Sequence, residues 1–385
     1  MRKNKRIYDQ NRIDSFFGAL KIFCSLLIAI ALIVVIVLIV SKQPGQALRS
    51  FFVGPVDSTR HLANIVENMM PLLFTGVATC LMFAGGDVVL AGEGAFFLGA
   101  FLSGAITTAT PFSGPVKLAL SLFAAMVGGA FVASVSIVAK NRFNAQPFVF
   151  SLLFNYVVMY GCNFFLNYFL RDPDYIGIAT YAFPADARFG AVVPKTSVTW
   201  GIFLAILAVV AGWFIMRKTK LGYKASIVRD NPRYAINMGI NAGRISLYMA
   251  ILGGAVAGLG GCVEMLSKFT RYYWTTQPGF GWDGFLLVTL AGNNPALIPF
   301  ASLFLGYIRT GASVMNVFAD VPMELISAIQ AVMVLLVASK ALFGRTQQKV
   351  TRRNSELKSR MEAQGEKVIK APEEQALTDS GGDRA

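Results

Sequence analysis

The sequence predicts an all-α protein, a bundle of helices that crosses a membrane about ten times. Of its 385 residues, 55% are hydrophobic and only 15% are charged, whereas soluble domains carry about 25% charged residues. The apolar residues form long uncharged runs, including those between Lys21 and Lys42 and between Arg142 and Arg171. A helix of about 20 such residues spans the roughly 30 Å hydrocarbon core of a bilayer.

The placement of basic residues is the third observation, and it predicts the orientation. Residues 1–21 hold six Lys or Arg, residues 217–244 hold seven and the tail after Phe343 holds nine, whereas the loop 171–197 has three basic and three acidic residues. Cytoplasmic segments of membrane proteins are enriched in Lys and Arg. We therefore expect both termini and residues 217–244, here called the basic segment, to be cytoplasmic. A nucleic-acid-binding protein would be expected to carry a compact basic face on a folded domain. The sequence shows no such face, so we predict no nucleic-acid partner.

The chain divides into an N-terminal cytoplasmic tail (1–19), a membrane domain (20–343) and a polar C-terminal tail (344–385). The C-terminal tail is predicted to be largely disordered, because it has few large apolar residues to bury. A loop containing Pro44 and Pro55 is expected after the first span. Spans are predicted at 20–40, 63–83, 88–109, 115–139, 145–169, 198–216, 245–263, 281–297, 299–319 and 323–343. Eight spans also fit the sequence if the glycine-broken stretches near 84–95 and 278–295 are re-entrant segments or half-helices.

Two glycine-rich interruptions lie about 200 residues apart. The first glycine break, residues 84–94, contains Asp87 and Glu93, and the second glycine break, residues 279–295, contains Asp283 and Asn293. Interrupted helices at corresponding positions of two halves indicate a transport pathway. Loop ends at the membrane edge are the alternative explanation.

Polar side chains at membrane depth identify candidate pathway residues. Carboxylates such as Asp87 and Glu93 are costly in lipid and usually face a cavity or a partner. Asn155 recurs with Asn163 and Asn167 on one helical face, where amides could bond either a polar solute or a neighbouring helix. We predict that Asp87, Glu93 and Asn155 border the pathway. Asp283 and Asn293 are predicted opposite them.

The basic segment carries helix-boundary signals. Asn231 is a favoured N-cap, Pro232 suits the first helical position and Gly239 suits a helix end. A short rigid cytoplasmic helix is therefore predicted, which another protein could grip. An ordinary solvated loop is the alternative.

Four motifs in order resemble one family. Gly222…Asn231-Pro232…Ala235…Gly239-Ile240 resembles the cytoplasmic coupling loop of ABC importer permeases of the branched-chain amino acid, ribose and nucleoside group. Residues 151–156 resemble the T-L-M-L-N-Y stretch of its nucleoside and simple-sugar branch. Residues 85–100 and 281–295 resemble the two glycine motifs of that branch. The likeness covers about residues 60–343.

The resemblance implies partners and a mechanism. A separate cytoplasmic ATPase subunit would hydrolyse ATP, a second permease subunit, identical or homologous, would complete the pore, and an extracytoplasmic solute-binding lipoprotein would deliver a nucleoside. Riboflavin and a simple sugar are alternative solutes, and the location implied is the bacterial cytoplasmic (inner) membrane. The residues implied in ATPase coupling are Gly222, Tyr223, Lys224, Arg229, Asn231, Pro232, Ala235 and Gly239.

Catalytic chemistry is not expected in this chain. Walker A, HExxH and GxSxG patterns are missing, and His61 is the single histidine. Four isolated cysteines give no metal-binding spacing. We therefore predict no catalytic residues, metal or cofactor. An ion-coupled secondary transporter, with Asp87 or Glu93 holding the ion, is the alternative of another class.

Overall fold

The computed structural model describes residues 43–318 except 193–195 and 197, together with a few isolated positions between 31 and 38. The predicted tails at 1–19 and 344–385 lie outside the described residues, as does the predicted span 323–343 and nearly all of 20–40. Residues Val37–Ile326 form one compact unit, which is the first of two units in the chain. All helices named below belong to the first unit.

The described residues form eleven α-helices and no strand, which confirms the all-α prediction. They are α1 (Pro44–Phe52), α2 (Thr59–Ala84), α3 (Gly92–Ala109), α4 (Gly114–Phe143), α5 (Pro147–Phe165), α6 (Gly201–Lys218), α7 (Lys220–Asp230), α8 (Pro232–Asn237), α9 (Ala242–Lys268), α10 (Phe280–Leu290) and α11 (Ile298–Phe318). The loop expected around Pro44 is in fact the short helix α1, followed by a 3₁₀ turn at Gly54–Val56. Pro44 fits because the first helical position needs no N–H donor.

Two mostly buried helices, α2 and α9, form the centre of the bundle. Each begins with a capping side chain. Ser58 accepts a hydrogen bond from the Arg60 N–H (3.2 Å), and Asn241 accepts one from the Arg244 N–H (3.0 Å). These caps satisfy N–H groups that a helix start leaves unpaired.

Glycines bring the backbone of α9 directly against its neighbours. A Cβ at Gly254 would collide with the Gly129 carbonyl of α4, and a Cβ at Gly258 would collide with the Ala125 carbonyl. On α3, a Cβ at Gly99 would collide with Gly258. Small residues permit such close helix packing, so α3, α4 and α9 form one block of touching backbones.

The helices around this block show apolar side chains to the outside. Leu153 and Val157 on α5 and Phe203, Leu207 and Val210 on α6 are all more than half exposed. By length and composition, six stretches of the described chain can cross a membrane: α2, α4, α5 with its continuation to Leu170, α6, α9 and α11 with its preceding 3₁₀ turn. The outward apolar faces suit contact with lipid.

The two glycine breaks depart from regular spans. α2 ends at Ala84 and α3 starts at Gly92, with Gly86 in the left-handed region (φ 89°) between them. The predicted span 281–297 is wrong as a continuous helix. It consists of the 11-residue α10, a turn through Gly292 and Asn293, both at φ 58°, and a 3₁₀ turn before α11.

The segment between α5 and α6 is anchored on the end of α9. Arg271 pairs with Asp172 and donates to the Thr180 carbonyl (3.1 Å). The Phe183 N–H donates to the Thr270 carbonyl (2.8 Å). The basic segment lies at the opposite end of α9, which we call the basic end.

Candidate functional site

Glu93 connects the two glycine breaks. Its carboxylate accepts hydrogen bonds from the backbone N–H groups of Gly279 (2.7 Å) and Gly281, at the start of α10. The side chain is only 2% exposed, and a Cβ at Gly281 would collide with the Glu93 backbone. A carboxylate at a helix N-terminus satisfies unpaired donors and the positive end of the helix dipole. Glu93 therefore fixes the start of α10 against the start of α3.

Asn155 holds the first glycine break from the side of α5. Its amide donates to the Leu90 carbonyl (2.8 Å) and accepts from the Gly94 N–H (3.1 Å). One turn earlier, the Ser151 hydroxyl accepts from the Leu90 N–H (3.0 Å). Backbone N–H and C=O groups in a helix break lack partners within a helix. The side chains of Asn155 and Ser151 provide hydrogen-bond partners for these groups. Ser151 begins the motif at 151–156, but it was not predicted as a site residue.

Two further predicted acids form ion pairs. Asp87 lies 2.6 Å from the Lys140 ammonium near the end of α4, and Asp283 lies 2.5 Å from the Arg309 guanidinium in α11. Asp283 also lies in the first turn of α10, the helix whose start Glu93 holds. The sequence did contain a signal for the missed partner Arg309, a cation in the middle of an apolar span.

Asn293 does not face Glu93 directly, because it contacts the basic segment. With its amide oriented so that both atoms find partners, it donates to the Cys80 carbonyl (3.3 Å) and accepts from Arg229 (3.1 Å). Cys80 lies in α2 and Arg229 near the end of α7. The second glycine break is thereby connected to both helices.

The first glycine break reaches the same place on α7. A Cβ at Gly86 would lie 3.3 Å from the Arg229 Cα and from Val228. The left-handed backbone at Gly86 also favours glycine. Both glycine breaks therefore meet α7 at Arg229.

The basic segment contains two capped short helices, and the boundary signals predicted the second of them. Thr219 accepts from the Gly222 N–H (3.1 Å) at the start of α7. Asn231 accepts from the Tyr234 N–H (3.0 Å) at the start of α8, with Pro232 in the first position. Gly239 follows α8 with φ 75°.

Two of the residues implied in coupling pack inside the chain. A Cβ at Gly222 would collide with the Ile215 carbonyl of α6, and Ala235 is fully buried. The surface is formed by other side chains. Exposed residues of this surface are Tyr223 (68%), Tyr234 (52%), Ile236 (62%) and Met238 (61%), with Lys224 exposed beside them.

Comparison with known proteins finds relatives that are named as ABC transporter or import permeases. The chain is 28% identical to the glucose ABC transporter permease protein TsgB13 of Haloferax volcanii, over 83% of this chain and 87% of that protein. It is 24% identical to the guanosine ABC transporter permease protein NupP of Bacillus subtilis, over 82% and 91%. It is 19% identical to the probable riboflavin import permease protein RfuC of Treponema pallidum, over 82% and 84%.

A family profile covers most of the same region. Residues 61–338 match the family described as branched-chain amino acid transport system / permease component. That match includes both glycine breaks and the basic segment, and the six apolar helices fit a multi-pass membrane protein. The chain belongs to the branched-chain amino acid transport system / permease component family, as a transport permease subunit.

Proposed function

We propose that this chain is the membrane permease subunit of an ABC importer that carries a nucleoside-like solute inward. A separate ATPase subunit hydrolyses ATP, and an extracytoplasmic binding lipoprotein delivers the solute. Two relatives whose names specify guanosine and nucleosides support this solute class. A sugar is the second candidate, because the relative named for glucose is 28% identical over 83% of the chain.

One observation carries the coupling proposal: short capped helices at the basic end present large apolar side chains to water. Tyr223, Tyr234, Ile236 and Met238 are all more than half exposed. Aromatic residues and Met are enriched in protein interfaces. Lys224 adds charge that would steer an acidic partner surface. We assign this surface to the ATPase subunit.

Arg229 would carry the motion of the ATPase to the membrane. It contacts Asn293 of the second glycine break and lies against Gly86 of the first. A conformational change requires contacts that differ between two states. A shift of α7 would change both contacts at once.

The orientation follows the charge bias. The seven Lys or Arg of the basic segment support a cytoplasmic location for the basic end. We propose that both termini lie on the same side and that the chain lies in a bacterial inner membrane. The folded segment between α5 and α6 then lies outside, where a binding protein would approach. A second permease subunit, identical or homologous, would complete the pore.

The pathway is proposed along the glycine breaks. Asp87, Glu93, Asn155, Asp283 and Asn293 all lie in or against them. A polar solute needs hydrogen-bonding groups at membrane depth. Several of these side chains already form hydrogen bonds with the backbone of the glycine breaks. A solute in the pathway would therefore compete for some of these hydrogen bonds.

The experiment is uptake of labelled guanosine and glucose by cells that express the complete transporter. Uptake that stops on ATP depletion and survives brief protonophore treatment supports the ABC importer, and the reverse result favours an ion-coupled transporter. Ile236→Asp should abolish co-purification of the ATPase subunit. Ile176→Asp is the matched control, because Ile176 is fully exposed in the segment between α5 and α6.

A further inference from the structure

Five charged side chains from four helices converge inside the bundle. The Lys268 ammonium lies 3.0 Å from a Glu67 carboxylate oxygen and 3.8 Å from one of Glu264. Arg309 lies 2.5 Å from Asp283. These five residues, from α2, α9, α10 and α11, are called the charged column below.

The two groups of charges belong to one column. The residues that follow Glu67 and Arg309 are hydrogen-bonded to each other, since the Asn68 amide donates to the Thr310 hydroxyl (3.1 Å), so α2 and α11 meet at this level. At its other end, Asp283 lies in the first turn of α10, the helix whose start Glu93 holds. The column therefore runs from the end of α9 that lies away from the basic end to the junction of the two glycine breaks.

Inter-helix pairing alone does not account for the column. A buried ion pair contributes little net stability, because desolvation offsets the attraction. Charges within membrane helices usually mark a substrate path. The side chains of Lys268 and Arg309 also stay 35% and 21% exposed. The buried Nε of Arg309 has no hydrogen-bond partner among the described residues.

We propose that the charged column binds the hydroxyl-bearing ring of a neutral solute, the sugar ring shared by nucleosides and free sugars. This rests on the proposed function and names the part of the solute that is recognised. Carboxylates accept two hydroxyl hydrogens at once, and guanidinium and ammonium groups donate to ring and hydroxyl oxygens.

Charge and shape both favour this ligand. Three acids face two bases, so the column carries no excess of positive charge for a phosphate. The Phe280 ring lies 5.7 Å below the Arg309 guanidinium and 5.0 Å from the Phe96 ring. Such rings offer an apolar surface to the C–H face of a sugar.

The test exchanges the partners of one ion pair in the complete transporter. Asp283→Asn or Arg309→Gln alone should lower uptake of both guanosine and glucose at least tenfold. The double exchange, Asp283→Arg with Arg309→Asp, should restore the melting temperature and co-purification of the ATPase subunit, but not uptake. Restored uptake would show that the pair serves only to join helices, and would overturn the proposal.

The Asp172–Arg271 pair is the matched control, because it is an ion pair of similar burial outside the membrane helices. Its double exchange should restore uptake together with stability. Guanosine and glucose are compared because both carry a hydroxyl-bearing sugar ring. If the single substitutions abolished uptake of guanosine but not of glucose, the column would not recognise the shared ring, and the proposal would be wrong. If the unaltered transporter imports neither solute, the proposed function itself is wrong.

Thiol accessibility gives a readout independent of transport. In a chain whose native cysteines are replaced by serine, Lys268→Cys should react with a small membrane-impermeant thiol reagent from outside. Guanosine or glucose at saturating concentration should slow that reaction severalfold. Ser302→Cys, at a fully buried position of α11, should stay unreactive. If the Lys268→Cys variant did not react, the charged column would not be accessible to a solute, and the proposal would be wrong.

Discussion

Glu93 and Gly279, 186 residues apart in the chain, are joined by a hydrogen bond of 2.7 Å from the Gly279 N–H to the Glu93 carboxylate. The same carboxylate accepts a second bond from Gly281. The starts of α3 and α10 therefore share one buried acceptor. These two hydrogen bonds connect the two glycine breaks directly.

Replacing Glu93 should destabilise the protein in a graded way. Glu93→Gln keeps one acceptor oxygen, whereas Glu93→Leu leaves both N–H groups unpaired, and each unpaired buried group costs about 1–3 kcal/mol. We expect the melting temperature of the purified protein to fall in the order wild type, Gln, Leu. Ser134→Ala is the control, because the Ser134 hydroxyl bonds only within α4. Equal melting temperatures for Gln and Leu would contradict the hydrogen-bonding role.

Two glycines in the membrane helices should respond oppositely to alanine. A Cβ at Gly258 collides with α4, whereas a Cβ at Gly161 of α5 meets nothing within 4 Å. Gly258→Ala should destabilise by about 1–3 kcal/mol through overpacking. Gly161→Ala should stabilise by up to about 1 kcal/mol, because alanine favours helix. Thermal unfolding in the same detergent checks both, and a stable Gly258→Ala protein would argue against touching backbones.

The segment between α5 and α6 should loosen in acid. The hydrogen bond from Arg271 holds the pKa of Asp172 below its usual value, so the ionised carboxylate stabilises the fold above the unfolded-state pKa of about 4. That stabilisation is lost as the pH falls through the lower folded-state pKa. The melting-temperature gap between wild type and Asp172→Asn should therefore be constant from about pH 5 to 8 and shrink below about pH 4. Ser134→Ala, which removes no carboxylate, is the control and should show no such trend.

Arg229 should be required for coupling more than for assembly. Arg229→Ala removes the bond to Asn293, so we expect the ATPase subunit to bind while uptake per ATP hydrolysed falls. Asn293→Ala should have the same effect, and the double variant should lose little more, because the two residues act through one contact. Arg233→Ala, at an exposed arginine of α8, is the control. If the losses of uptake in the two single variants added up fully in the double variant, Arg229 and Asn293 would act independently, which would contradict the prediction.

The sequence predicted the helices well wherever apolar residues alone decide the structure. Long uncharged runs gave the spans α2, α4, α5, α6, α9 and α11 to within a few residues, since desolvation forces such runs into helices. Asn231 and Pro232 marked the start of α8 because capping is a local property. The short amphipathic α1 was missed, since nine residues around Pro44 lack the length of a span.

The candidate site was less predictable because its partners are distant in sequence. Asp283 and Asn293 were found as polar residues in apolar surroundings, but Arg309 and Arg229 became their partners only through packing of the helices. Gly222 was predicted from a motif, and the structure shows that it packs against α6. A motif records which residue type is needed. It does not say whether the constraint comes from inside the chain or from a partner.

The touching backbones of α3, α4 and α9 provide a fixed frame for spectroscopy. Since no side chain separates Gly258 from Ala125, these helices cannot slide past one another without a collision of main-chain atoms. Spin labels on the outer faces of α4 and α9 should report one invariant distance throughout a transport cycle. Labels on α7 and α11, measured against that internal standard, would give displacements of those helices free of any overall drift of the molecule.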